Sequence, residues 1–426
     1  MLDLKFIRQN PALVIEGARK KRIAVDVEGL LAADTAARAL QTALDGLRAR
    51  QNALSKEVGK ASPADRPRLI AEVNTFKAQL AELEGKFREA QADVDARLLR
   101  IPNVPADEVP EGVDDSENVE VKRWGTPRTF DFAPRDHVAL AEAQGWLEIE
   151  RAARISGSRN YVLKGELSLL EGAVMRYALD LMVSRGFTPL SVPTLVRSAV
   201  MVGTGYFPGG EEQAYRTDSR DDLCLVGTAE VPVTALHQDE VLALADLPVR
   251  YVALSSCYRR EAGAAGRDTR GLYRVHQFQK VEQVVLAAAD AQGSIEHHRA
   301  IVDNAEFVLQ SLEIPYRIVN VCGGDLGAPQ IQKYDIESWM PSRGGYGETH
   351  SASRFHEYQA RRLNLRYRDA EGKVRFCHTL NNTVAASSRM LICILENHQN
   401  ADGTVRVPKP LWPYLAGREV LGRPVG

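Results

Sequence analysis

Residues 249–286 read VRYVALSSCYRREAGAAGRDTRGLYRVHQFQKVEQVVL, two strand-forming runs around a loop rich in glycine and arginine. In the incoming run Arg259 and Glu261 lie two apart, which predicts a shared face. In the outgoing run Arg274, His276, Phe278, Lys280 and Glu282 take one face and Val275 and Val281 the other. One face thus gathers guanidinium groups suited to phosphate, an aromatic plane suited to a base, and carboxylates suited to an amine or hydroxyl. A solvated sheet face would carry the same residues without any ligand, and the pattern alone leaves both readings open. The loop adds Arg267 and Arg270 on a flexible backbone able to close on a polyanion.

Around this segment the last 300 residues or so mix helical stretches, such as residues 165–186, with alternating strands and glycine-rich turns. No run of regular βαβ units is present, so the expected class is α+β with an antiparallel sheet flanked by helices. Upstream, residues 101–120 hold three prolines, seven acids and no base, the composition of an extended linker. Before it the apolar positions Leu69, Val73, Phe76, Leu80, Leu83, Phe87, Ala90 and Val94 alternate spacings of four and three, a heptad seam. The same rhythm runs through Leu30, Ala33, Ala37, Leu40, Leu44, Leu47, Gln51, Leu54 and Val58. Between the seams Pro63 and Pro67 interrupt helix and Ser62 or Asp65 can cap the next one, which predicts an antiparallel helical hairpin. Near its tip Arg48, Arg50, Lys56, Lys60, Arg66 and Arg68 face only Glu57 and Asp65, a net +4. A solvated coiled-coil surface and a phosphate-contacting arm both fit that charge.

The whole chain of 426 residues has 54 Lys+Arg against 56 Asp+Glu, a net charge of −2, which excludes a uniformly basic nucleic-acid coat but not a local patch. At 44% apolar and 26% charged it is an ordinary globular composition for two or three domains. No apolar run approaches the roughly 18 residues of a membrane span, and Asp3 and Arg8 stand where a signal peptide would be apolar, so a cytoplasmic location is expected. Cys224, Cys257, Cys322, Cys377 and Cys393 are scattered, without zinc or disulfide spacing, and are expected to be buried thiols.

YRRE (258–261) with RVHQFQKVE (274–282) resembles motif 2 of the class II aminoacyl-tRNA synthetases. RGFTPLSVPTLV (185–196) resembles motif 1, the dimer-interface element, and TLNNTVAASSRMLICILENHQ (379–399) resembles motif 3, with Arg389 in the first turn of a helix. Three such segments in order are far more specific than one. With the hairpin and the phrases IPNVP, GRDTRGLYRVHQF and TLNNT, the chain resembles the seryl-tRNA synthetase family over essentially its whole length.

The resemblance implies a six-stranded antiparallel sheet flanked by helices, with an N-terminal domain (1–100, hairpin about 27–100), a linker (101–125) and a catalytic domain (126–426). It implies a homodimer that joins serine to the 3′ end of serine tRNA, and also of selenocysteine tRNA, through a seryl-adenylate made from ATP with Mg²⁺. Arg259 and Arg389 are the implied catalytic residues. Arg259, Arg260, Glu261, Val275, Phe278, Glu348, Thr349, His350, Ser351 and Arg389 would bind ATP, with adenine between Phe278 and Arg389, and Glu348 would be the metal ligand. Thr228, Ala229, Glu230, Glu282 and Thr383 would bind serine, Glu230 at the ammonium and Glu282 at the hydroxyl. Arg48, Arg50, Lys56, Lys60, Arg66 and Arg68 of the arm, with Arg267 and Arg270 of the loop, would contact tRNA by shape and backbone.

His350 and NNT (381–383) depart from the family's commoner residues, although Thr383 keeps a hydroxyl in the serine pocket. GTG (203–205) is a lone GxG, read as a loop near the pocket rather than a phosphate cradle. Two other classes stay open: a ligase that loads an amino acid onto a carrier protein, and an RNA-binding paralogue with an inactive core. The long hairpin argues against the first, and the full set of Arg259, Glu261, Phe278, Glu282, Glu348 and Arg389 against the second.

Overall fold

The computed structural model describes residues 1–263 and 270–425. It divides into two units, residues 1–19 with 23–104, and residues 20–22 with 105 onward.

In the first unit α1 (Leu4–Gln9) and α2 (Pro11–Lys20) precede two long helices, α3 (Val27–Lys60) and α4 (Arg66–Leu98). Every residue of the two expected seams is buried or half-buried, with Leu30, Ala37, Leu44, Leu69, Leu80 and Val94 deepest. The heptad reading therefore gives the hairpin directly. At about 1.5 Å per residue α3 is about 50 Å long. Asp26 caps α3 by accepting the Gly29 N–H at 2.8 Å, and Arg97 reaches back to Asp26 at 3.0 Å to close the base. At the tip Asp65 holds the cap position of α4, but its carboxylate accepts the Ser62 hydroxyl at 2.7 Å instead of a helix N–H. Pro67 sits in the first turn, where a missing N–H costs no helical bond.

In the second unit β1 (Val119–Trp124), β2 (Thr188–Leu190), β3 (Val249–Tyr258), β4 (Gln277–Ala287), β5 (Tyr316–Asn320), β6 (Gln332–Met340), β7 (Gly345–His356) and β8 (His378–Ala386) form one sheet. Their order is β1-β5-β6-β7-β8-β4-β3-β2, antiparallel except for β2 beside β3. The α+β expectation holds, but the sheet has eight strands rather than six. Both edges come from segments with weak strand signals: β1 is charged and exposed along nearly all its length, and β2 is three residues around Pro189.

The helices of this unit are α5 (His137–Ala143), α6 (Ile149–Ser156), α7 (Gly165–Ser184), α8 (Ser198–Thr204), α9 (Glu230–Thr234), α10 (Ala291–Ser311), α11 (Tyr358–Leu363) and α12 (Ser387–His398). The apolar faces of α7, α10 and α12 share one core with Val281, Val285, Ile336 and Leu380 of the sheet. On the other face Ala253, Val284 and Leu286 pack under Ala360 and Leu363 of α11, leaving Lys280 and Glu282 on the same face toward the polar end.

The expected linker is bound chain. The boundary between the units falls after Val104. Beyond it Val109 packs on Val321 and Leu326, and the Asn320 amide donates to the Glu108 carbonyl at 2.8 Å. Residues 119–124 then serve as β1, so composition alone concealed backbone that the sheet satisfies. All five cysteines are free and buried. Among the described residues no helix is long and apolar enough to cross a membrane.

Candidate active site

β3 and β4 pair continuously from Tyr258 opposite Gln277 to Val249 opposite Leu286, which sets the two runs side by side. The strands are shorter than the alternation predicts. β3 stops at Tyr258, and Glu261 has φ 51°, so Arg259 and Glu261 share a site through a turn and not through strand parity. Arg274 and His276 precede β4, and the Arg259 N–H donates to the His276 carbonyl at 2.9 Å to tie the two segments. Arg267 lies outside the described residues. Arg270 is exposed and stands 3.8 Å from Glu142.

Above this junction is a cavity of about 530 Å³ lined by Tyr206, Arg259, Glu261, Arg274, Glu348 and Arg389, among others. A narrower recess shares four of these residues and adds Val275, Phe278, Lys280, Thr349, Ser351 and Thr383. The structure thus brings together residues from three segments far apart in sequence. Arg389, in the first turn of α12, donates to the Glu348 carbonyl at 2.8 Å and its guanidinium lies over the Tyr273 ring, 4.6 Å from the centroid. The cation over Phe278 is Arg259, at 5.4 Å. Burial alone would raise the Glu348 carboxyl, but Arg389, Lys333 and Arg259 outweigh it and hold its pKa down to about 2.

Two carboxylates, Glu230 and Glu282, are buried next to residues that line these pockets. β8 carries one extra residue opposite β4, because Val281 faces Ala385 while Glu282 faces Thr383. This bulge turns Thr383 to the Glu282 side, where its hydroxyl donates to Glu282 Oε2 at 3.3 Å. Lys280 forms an ion pair with the same carboxylate and donates to Thr228 Oγ1 at 2.6 Å. Thr228 Oγ1 also accepts the Glu230 N–H at 3.1 Å. Glu230 accepts the Tyr206 hydroxyl and the Gln359 amide, each at 2.8 Å. Burial, helped by the Glu282 charge, pushes the Glu230 carboxyl up to about 7 against these donors.

Three of the expected site residues, Ala229, Arg260 and His350, line neither the cavity nor the recess. Arg260 turns away toward the Tyr215 ring, and Ala229 packs its methyl in the core beside Val233. His350 is buried behind the strand, its Nε2 on the Val384 carbonyl at 3.1 Å and its Nδ1 on the Thr349 hydroxyl at 2.8 Å. A second bulge accompanies this: Ile336 faces His350 while Glu337 faces Glu348, so Thr349 is the extra residue. GTG is no loop but the end of α8, with Gly205 in the left-handed cap.

Sequence reasoning missed Tyr206, Gln359 and Lys280. Lys280 was visible on the right face two residues from Glu282, and a lysine beside a buried carboxylate is a recoverable pairing signal. Tyr206 and Gln359 meet Glu230 only through the fold.

In the arm Arg48 pairs with Glu84 at 2.8 Å and Arg68 with Glu72 at 3.8 Å. Arg50, Lys56, Lys60 and Arg66 are exposed and make no ion pair among the described residues.

Known proteins match both halves of this description. A model of the tRNA synthetase class II core domain (G, H, P, S and T) covers residues 215–398, and a model of the seryl-tRNA synthetase N-terminal domain covers residues 1–105. A serine–tRNA ligase of Deinococcus radiodurans is 51% identical over all of both chains. The chain belongs to the seryl-tRNA synthetase family. Among solved structures, the seryl-tRNA synthetase of Pyrococcus horikoshii complexed with ATP has a TM-score of 0.91 at 41% identity, covering all of both chains. The serine–tRNA ligase of Naegleria fowleri in complex with AMP has a TM-score of 0.85 at 31% identity, covering 97% of this chain and 96% of that one.

Proposed function

We propose that this chain is a serine–tRNA ligase whose cavity binds ATP and whose two buried carboxylates, Glu230 and Glu282, bind serine. The observation that carries the reading is Glu282, buried and held by Lys280 and Thr383, which line one recess with Arg259, Arg389 and Glu348. A serine carboxylate oxygen attacks the ATP α-phosphorus, the bond to pyrophosphate breaks, and seryl-adenylate remains. The 3′-terminal ribose of serine tRNA then attacks the acyl carbon and AMP leaves. No protein nucleophile is required; orientation and charge stabilisation supply the rate.

Arg259 and Arg389 line both pockets and stabilise charge on the phosphates, while Phe278 offers a plane to adenine and Glu261 an acceptor to its amino group. Among the described residues no three His, Cys, Asp or Glu side chains are grouped to hold a metal, so any ion is held mainly by phosphates and water. Glu348, ionised and open to the cavity, with the Ser351 hydroxyl in the same recess, fits that role for Mg²⁺. Such an ion would offset phosphate charge. We place the enzyme in the cytoplasm as a homodimer joined through residues 185–196 and their surroundings, with selenocysteine tRNA as a second acceptor.

Serine-dependent exchange of pyrophosphate into ATP tests the whole reading, and its absence with serine overturns it. In that assay Arg259→Ala should lower kcat by about 10²- to 10³-fold, the usual cost of one charge-stabilising donor. Unchanged turnover would remove Arg259 from the chemistry.

Glu230 gives a pH prediction. In the free enzyme its carboxyl titrates at about 7, and only the ionised form pairs with the serine ammonium. Serine binding below that pH must expel a proton, so its Kd should rise about tenfold for each pH unit below 7 and level off above it. Titration of serine binding between pH 5 and 8 reads this slope; a flat profile would contradict the role.

A further inference from the structure

Away from the cavity, His137 opens α5 and Glu396 lies in the last turns of α12, both buried. Glu396 accepts four hydrogen bonds: from His137 N at 3.1 Å, Ser342 N at 2.9 Å and Ser342 Oγ at 2.8 Å, and from His137 Nδ1 at 2.7 Å. A carboxylate surrounded by donors in this way fixes the imidazole tautomer, with the proton on Nδ1 and the lone pair on Nε2. That lone pair meets the backbone N–H of Leu272 at 3.2 Å.

Leu272 lies on the chain that returns from the arginine-rich loop to β4. Gly271 before it has φ 86°, and a Cβ there would fall 2.4 Å from His137 Nε2, so bare backbone lies against the ring. Tyr273 after it carries the Arg389 guanidinium on its ring, and its carbonyl accepts Arg389 Nε at 3.5 Å. The latched amide belongs to the residue next to a direct contact of Arg389, and Arg389 in turn holds the Glu348 carbonyl. Arg270, at the start of the same return, stands near Glu142 of α5. The helix thus grips this segment at two points.

We infer that His137 is a positioning residue for ATP activation: through its Glu396-fixed Nε2 it latches Leu272 and so sets Tyr273 beneath Arg389. This rests on the ATP-activating function proposed above. The competing role, in which His137 merely anchors α5 to Glu396, uses Nδ1 alone, and two variants separate them. His137→Asn keeps a donor at the Nδ1 position and loses the acceptor; His137→Gln puts an amide oxygen at the Nε2 position and loses the Glu396 donor.

In pyrophosphate exchange His137→Asn should raise the KM for ATP and lower kcat, together about tenfold or more in kcat/KM, with the KM for serine unchanged. His137→Gln should stay within about threefold of the parent. Equal losses, or a larger loss in the glutamine variant, overturn the latch. Two further readouts need no activity, so they stand even if the ligase function fails. Nitrogen-15 NMR of the parent protein should show His137 protonated at Nδ1, and the Nε2–H tautomer would overturn the proposal. Hydrogen exchange at the Leu272 amide should quicken at least tenfold in His137→Asn at unchanged Tm; unaltered protection would likewise overturn it.

Discussion

Glu282→Ala should abolish the preference for serine over alanine, shifting the ratio of their kcat/KM values in pyrophosphate exchange by about 10⁴-fold. The size follows from the geometry. Glu282 is 2% exposed, and Lys280 and Thr383 already hold its carboxylate on one side. A serine hydroxyl supplies a further donor, whereas alanine brings a methyl group against a buried carboxylate that water cannot reach. Once the carboxylate is gone the two amino acids differ only by one small group in a pocket that has lost its acceptor for the hydroxyl proton. Exchange kinetics with both amino acids over a concentration series measure the ratio. A variant that still rejects alanine would move hydroxyl recognition to Thr383 or Lys280.

Excising residues 41–86 and closing the hairpin with a short glycine link should reduce charging of serine tRNA by about 10³-fold or more, while exchange stays within about twofold. The excised part carries Arg50, Lys56, Lys60 and Arg66, exposed cations that make no ion pair among the described residues, and so groups able to displace counterions from a phosphate backbone. It spares the cluster of Ile7, Val14, Leu30, Ala37, Val94 and Leu98 at the base of the arm, so the first unit keeps a core. Charging in the parent should fall steeply with added salt, and the excised form should lose most of that slope. Loss of exchange together with charging would make the hairpin a scaffold and not a tRNA contact.

The arm was legible because its order is local: a seam with spacings of four and three needs only neighbours on the same helix, and each seam residue is indeed covered. The hairpin of β3 and β4 was legible for the same reason. What local pattern does not carry is a bulge, the end of a strand, or a partner far along the chain. The family resemblance puts His350 in the nucleotide site, while the structure, with one extra residue at Thr349, buries its ring against the Val384 carbonyl. Glu261 was placed by strand alternation, yet the strand had ended and a left-handed residue did the positioning. Gln359 carries no local mark at all; it reads as an ordinary helical glutamine until the fold sets its amide on Glu230 and the Thr204 carbonyl and its oxygen against Thr379.

The outer strand β1 imposes an order on synthesis. Among the described residues the sheet partner of residues 119–124 is β5 alone, antiparallel, and β5 spans Tyr316–Asn320. A ribosome releases the arm, whose helices need only each other, long before it has made the partner of β1. For all that time VEVKRW is an open edge with Val119 and Val121 bare. Its interleaved Glu120, Lys122 and Arg123, and the acids Asp114, Asp115 and Glu117 just before it, act as gatekeepers against pairing with another nascent chain. The charge that hid the strand from a reader of the sequence is what keeps it soluble while it waits.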